Sequence, residues 1–198
     1  MRKWKKKKKS SLNFSKKHRK FNMRRFKYVM TWVWQIALAI IVAIVIVNMF
    51  GTRTNVVGQA MAENLTSGDE VLINKLTYAI TNPKAGDVIV FLPNGNDKSH
   101  YYIRRVVGVP GDTIQIVGGI LYVNGNSYNE LTTVASMEEA GIAESEILLG
   151  EDEYFVLGDN RNNSEDSRYA NIGNVKKEYI IGKAWFYIDS EDGMGFVH

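Results

Sequence analysis

The chain has 198 residues, no cysteine and three scattered histidines at positions 18, 100 and 198, which excludes disulfides and thiol nucleophiles and offers no His/Cys ligand cluster for a metal. Its net charge of +4 hides two opposed regions: fourteen of the 25 basic residues fall in residues 1–27, which hold no acid, and 11 remain beyond them against all 21 acids. A basic tail precedes an acidic body, which argues against a chain basic throughout for nucleic acid, and no cofactor is expected.

In chain order, the first element is an apolar stretch from Val29 to Phe50, interrupted only by Thr31, Gln35 and Asn48. Its 22 residues are long enough to cross a bilayer as a helix. Trp32 and Trp34 near its start suit a membrane interface. The Lys/Arg excess lies before it, so the positive-inside rule predicts a cytoplasmic tail (1–27), a transmembrane helix (28–50) and an extracytoplasmic domain (51–198) in a single-pass cell-membrane protein. The run Lys5–Lys9 matches phosphate electrostatics, but beside a span anionic lipid is the better partner, and nucleic acid is not expected. Ala60-Met61-Ala62 has the small-x-small pattern of a signal-peptide cleavage site. The apolar stretch exceeds a signal core of about 7–15 residues and ends well before that site, so an anchor is predicted.

After Gly51 come short runs rich in Val, Ile, Tyr and Phe, bounded by turn residues. Residues 70–75, 87–92, 101–108, 113–117, 120–123, 154–157 and 179–188 read as strands. Gly-Asp recurs at Gly68, Gly86, Gly111 and Gly158, and each pair reads as a turn device; Asn124-Gly125 is a hairpin signal. Ser136 and Glu139 have capping-box spacing and predict a short helix before Glu146. The fold class expected is mainly β, an antiparallel domain with one short helical insert behind a single N-terminal transmembrane helix.

Three segments stand out: GQAMAENL at 58–65 followed by Gly68-Asp69, YIRRVVGVPGD at 102–112, and GDNRNNSEDSR at 158–168 followed by Gly173 and Ile181-Gly182-Lys183-Ala184. Together they resemble the type I signal peptidase family (peptidase S26) over residues 29 to 190. The third segment matches the family's Gly-Asp-Asn-Arg…Ser-x-Asp-Ser-Arg box at every motif position. The second matches Tyr-Ile-Lys-Arg-Val-Ile-Gly-Leu-Pro-Gly-Asp except that Arg104 stands at the lysine. The first matches Gly-x-Ser-Met-x-Pro-Thr-Leu in its glycine, Met61 and Leu65. It places Ala60 at the serine, Glu63 at the proline and Asn64 at the threonine.

The resemblance implies a serine endopeptidase in which a serine hydroxyl attacks the scissile carbonyl and a neutral, desolvated lysine takes its proton. Ala60 has no attacking atom, and a guanidinium stays protonated, so Arg104 cannot act as the base. Of possible substitutes, Thr66 and Ser67 lie in the Gly-Asp turn, and only His100 sits near enough to a strand to be a candidate base. The resemblance further implies a supporting framework of Met61, Arg105, Asp159, Asn160, Arg161, Ser164, Asp166, Ser167 and Arg168. Within it Ser164 matches the serine that bonds the lysine, Asp166 and Arg168 match a structural ion pair, and residues 159–161 match the turn carrying the box. An Arg104 contact to Ser164 or Asp166 is one way to fill the base position.

Two functions stay open. One is a non-catalytic relative that binds extended peptide segments of pilin subunits or preproteins. Such dyad-lacking, single-anchor proteins act, by resemblance, beside a sortase as accessory or chaperone-like factors in Gram-positive pilus assembly, and Glu63 would alter the groove's charge. The other is a working type I signal peptidase that cleaves signal peptides with a non-standard nucleophile.

Overall fold

The computed structural model describes residues 22–62, 64–129, 134–189 and 193–197. Most of the basic tail, Glu63, His18 and His198 therefore lie outside the described residues. The apolar stretch forms one helix, α1 (Met23–Phe50), which starts six residues before the apolar run because Arg24, Arg25 and Lys27 are good helix formers and no breaker intervenes. Residues 23–47 of it are long and apolar enough to cross a membrane.

The rest is mainly antiparallel β. In chain order it comprises β1 (Arg53–Asn55), β2 (Glu70–Asn74), α2 (Leu76–Ile80), β3 (Val88–Phe91), β4 (Tyr102–Gly108), β5 (Thr113–Val117) and β6 (Ile120–Val123). There follow β7 (Asn126–Ser127), β8 (Ile147–Leu148), β9 (Glu153–Leu157), β10 (Val175–Lys176), β11 (Ile180–Ile188) and β12 (Met194–Phe196). The larger sheet runs β1-β2-β11-β3-β4-β9-β10, with β12 added to β11; the smaller runs β7-β6-β5-β8. β11 serves three partners because a register shift between Ala184 and Phe186 bends it along β2, while its other edge meets β3 and then β12.

Side-chain alternation explains which runs read most clearly. β3 is buried on both faces: Val88 and Val90 join Val71, Ile73, Ile103 and Ala184, while Ile89 and Phe91 join Val106, Tyr154 and Val156. A strand covered on both sides has no polar face, hence the unbroken VIVF. Met61 and Leu65, each 1% exposed, plug the first of these clusters and so fix the loop that carries Ala60. A third cluster, around Ile114, Ile116, Leu121 and Leu149, fastens the smaller sheet.

Three Gly-Asp pairs are one device repeated. At Gly68, Gly86 and Gly111 φ is 106°, 92° and 87°, which glycine adopts without strain. The following Asp69, Asp87 and Asp112 each accept from the N–H of the residue three earlier, Thr66, Lys84 and Val109. Gly158-Asp159 departs from this pattern: the Asp159 carboxylate is drawn away by an arginine of β4, so the pair builds a site and not a turn of that type. Asn124 and Gly125, at φ 53° and 74°, close the β6–β7 hairpin. The helical insert also differs from the capping-box expectation. Residues 136–140 are irregular and the helix is a single 3-10 turn, Gly141–Glu144, capped by no side chain. The Ser136 carbonyl instead accepts from the Asn162 side chain, and the N–H of Glu138 donates to the same residue's Oδ1, which ties this stretch to the 158–168 loop.

Candidate functional site

Three non-contiguous segments meet where β4 runs past the end of its pairing with β9. β3 borders β4 through residues 102–105, whereas β9 pairs with β4 only from Arg105 onward, so residues 102–104 have β3 as their sole strand partner among the described residues. Opposite them runs the 56–62 loop. A cleft of about 320 Å³, counting space open to solvent, lies between residues 56–57, Ala60 and Met61 on one side and residues 100–104 on the other. Ala60 and Arg104, 44 positions apart in the chain, thus face one cleft, and they are 8% and 7% exposed.

Two buried Arg–Asp pairs hold this arrangement. Arg105, next to Arg104 and so pointing to the opposite face of β4, donates through Nε and Nη2 to the two Asp159 oxygens, both at 2.7 Å. It also donates through Nη1 to the Gly86 carbonyl at 3.0 Å. Asp159 Oδ2 in turn accepts from Asn64 Nδ2 at 2.6 Å, which links the Ala60 loop to the third segment. The second pair lies within that segment. Arg168 donates through Nε and Nη2 to Asp166 at 2.8 and 2.9 Å, and Asp166 Oδ2 also accepts from the Gly158 N–H at 3.1 Å. Arg168 further donates to the Arg161 and Glu139 carbonyls, and Arg161 donates through Nε to the Gly158 carbonyl. Ser167 Oγ accepts from the Val156 N–H, which stitches the segment to β9. The Asn160 N–H donates to the Ala60 carbonyl at 3.0 Å. Asn64 and Glu165 were not singled out by the sequence as framework members; contacts across 95 positions (Asn64 to Asp159) and 61 positions (Arg104 to Glu165) leave no local signal in a single chain.

Arg104 bonds neither Ser164 nor Asp166. Its Nε and Nη2 donate to the Glu165 carbonyl at 2.9 and 2.6 Å, and Nη1 donates to its neighbour's carbonyl, Ile103, at 2.7 Å. The guanidinium lies 5.0 Å from the centre of the Tyr102 ring. Burial holds its pKa below the ordinary value, while Asp166, Tyr102 and Glu165 pull the other way. Ser164 Oγ is buried without a hydrogen-bond partner among the described residues. It sits against Gly158, where an added Cβ would collide with Ser164 Oγ and come within 2.5 Å of the Ala60 carbonyl oxygen. Ser164 therefore packs beside Ala60 but is not engaged by the Arg104 fork.

The substitute groups fare no better. Thr66 donates its hydroxyl to Asp69 inside the turn, and His100 is exposed and stacked on Tyr102 with ring centres 5.0 Å apart. No cluster of three His, Asp or Glu suited to a metal occurs among the described residues.

Tyr102 also donates through its hydroxyl to Glu165 Oε2 at 2.8 Å. That bond, followed by one from Asn171, holds the Glu165 carboxyl below the usual range. A carboxyl whose folded pKa is depressed adds stability above its unfolded pKa, and that increment is lost as pH falls through the folded value. In Tyr102→Phe the Glu165 carboxyl should titrate at higher pH and this acid-range contribution should shrink. A carboxyl-resolved NMR titration unchanged from wild type would show that the bond is not formed.

Fold and site define a β-rich protein with one apolar N-terminal helix and a cleft along an open strand edge, braced by buried ion pairs. The family model described as signal peptidase, peptidase S26, matches residues 29–188. Signal peptidase I P of Bacillus subtilis subsp. natto is 34% identical over 165 residues, covering 80% of this chain and 87% of that one. Signal peptidase IB of Staphylococcus aureus (strain COL) is 30% identical over 175 residues, covering 81% and 89%. A crystal structure of a signal peptidase I from Enterococcus faecalis V583 is 30% identical and aligns with 52% of this chain and 97% of that chain at a TM-score of 0.40. The chain belongs to the signal peptidase family, peptidase S26.

Proposed function

We propose that the protein is a catalytically silent member of this family that holds extended peptide segments, and that it serves as a membrane-anchored accessory factor in pilus assembly. The observation that carries the first half is the pair facing the cleft. Ala60 offers no nucleophile, and Arg104 offers a guanidinium bound to two carbonyls where a proton acceptor is needed. Recognition by strand addition needs an open backbone edge and side-chain pockets but no reacting group. The edge at residues 102–104 meets that need.

The second half rests on resemblance to dyad-lacking, single-anchor relatives, whose ligands are pilin segments or preproteins presented beside a sortase. The placement proposed is residues 1–27 in the cytoplasm, 28–50 in the membrane and 51–198 outside. Supporting it are the length and exposed apolar surface of α1 and the basic excess before it.

The test is incubation of the full chain in detergent with a preprotein and a pilin precursor. Expected are no cleavage of either and retention of the pilin on the immobilised protein. Cleavage by wild type would overturn the silent reading in favour of a non-standard nucleophile. Silence without retention would remove the pilin role.

A further inference from the structure

Arg104 differs from two neighbouring buried arginines of the site, Arg105 and Arg168. Arg105 and Arg168 each face a carboxylate at ion-pair distance, whereas Arg104 has none among the described residues. A guanidinium carries five N–H groups. Three are donated to the Glu165 and Ile103 carbonyls, so one remains on each Nη nitrogen. The side chain is only 7% exposed and lines the cleft. A buried charge is costly unless an opposite charge joins it, and here the open direction is the cleft itself.

We propose that the cleft receives the C-terminal end of a peptide whose last residue is small, with Arg104 as counter-ion to the free α-carboxylate. This rests on the peptide-holding reading above and names the class of ligand. A chain running through the cleft would set an uncharged peptide carbonyl opposite Arg104, whose charge is met only at a distance by Asp166 and Glu165 and by no direct ion pair among the described residues. A chain that ends there supplies two oxygens for two spare N–H groups, the number that a bidentate arginine–carboxylate pair uses. The surroundings favour the contact: Val56, Met61 and Ile103 are buried apolar neighbours, which exclude water and strengthen a charge pair. Ala60 presents only a methyl group, so nothing on that wall competes for the carboxylate, and the enclosed part of the cleft, about 30 Å³, leaves room for no more than a small terminal side chain. The unpaired edge at residues 102–104 lies alongside for the preceding backbone.

The experiment uses the full chain in detergent and one apolar, alanine-terminated peptide carrying a fluorophore at its N-terminus. Four forms are compared: free acid, C-terminal amide, a version extended by several residues, and an amide with an internal aspartate. Expected is roughly tenfold tighter binding of the free acid than of the other three, a difference of about 1.4 kcal/mol. That gap should nearly vanish in Arg104→Met. The comparison on wild type needs no variant, so it stands even if Arg104→Met fails to fold. Equal binding of all forms would overturn the carboxylate proposal and leave the peptide-holding reading intact. Equal binding of the free acid and the internal-aspartate amide would overturn the C-terminal assignment. Absence of binding by every form would overturn both.

Discussion

Replacing Asp159 with alanine is expected to lower the unfolding free energy by about 3–5 kcal/mol, the usual cost of stripping one partner from a buried ion pair. Arg105 is 1% exposed and both Asp159 oxygens are engaged with it. Without the carboxylate the guanidinium stays buried and loses its counter-charge, and the Asn64 amide loses its acceptor as well. Replacing both members at once, Asp159→Leu with Arg105→Met, should cost less than Asp159→Ala alone, because no charge is then stranded. Denaturant midpoints of the full chain in detergent read both effects. A loss below about 1 kcal/mol for Asp159→Ala would place it in the range of exposed pairs and show that water reaches the site.

On the silent reading proposed above, hydrolysis should require two changes together. Ala60→Ser supplies a hydroxyl with no base, and Arg104→Lys supplies an amine with nothing to deprotonate, so each alone should remain at the uncatalysed rate. The combined variant should exceed either by a factor of about 10³ or more, since nucleophile and base act as a unit and their effects are far from additive. The Arg104 position suits the change, because its burial already opposes positive charge and would lower the pKa of an amine placed there. Mass-spectrometric product detection from an alanine-terminated signal sequence joined to a reporter would resolve the four proteins. Activity of Ala60→Ser equal to that of the combined variant would show that the base lies elsewhere, with His100 the first residue to remove.

The strands most legible in the sequence were those whose own side chains declare their burial. β5 is marked by its alternation, β6 is a short apolar run set off by turn residues, and β3 is a plain apolar run because both faces are covered. β1, β8, β10 and β12 span two or three residues each and exist only because a longer strand offers an edge, information that no window of the chain contains. The site divides in the same way. Its three segments could be found as segments, but the bonds of Asp159 to Arg105 and Asn64 span 54 and 95 positions. Similarly, Gly158-Asp159 looked like the other Gly-Asp turns until Arg105 entered its surroundings. The acceptor of Arg104 is a main-chain carbonyl, which residue identity does not predict.

The brace formed by Arg105, Asp159, Asp166 and Arg168 separates two things that a sequence signature normally reports together. These four charges hold loops to a sheet, and a domain that only needs to stay folded has sufficient reason to keep them. A count of matched signature positions is therefore a measure of architecture. Estimates of how many exported-protein processing enzymes a genome encodes should weigh the residues at two places in such chains, here 60 and 104, above all the others combined.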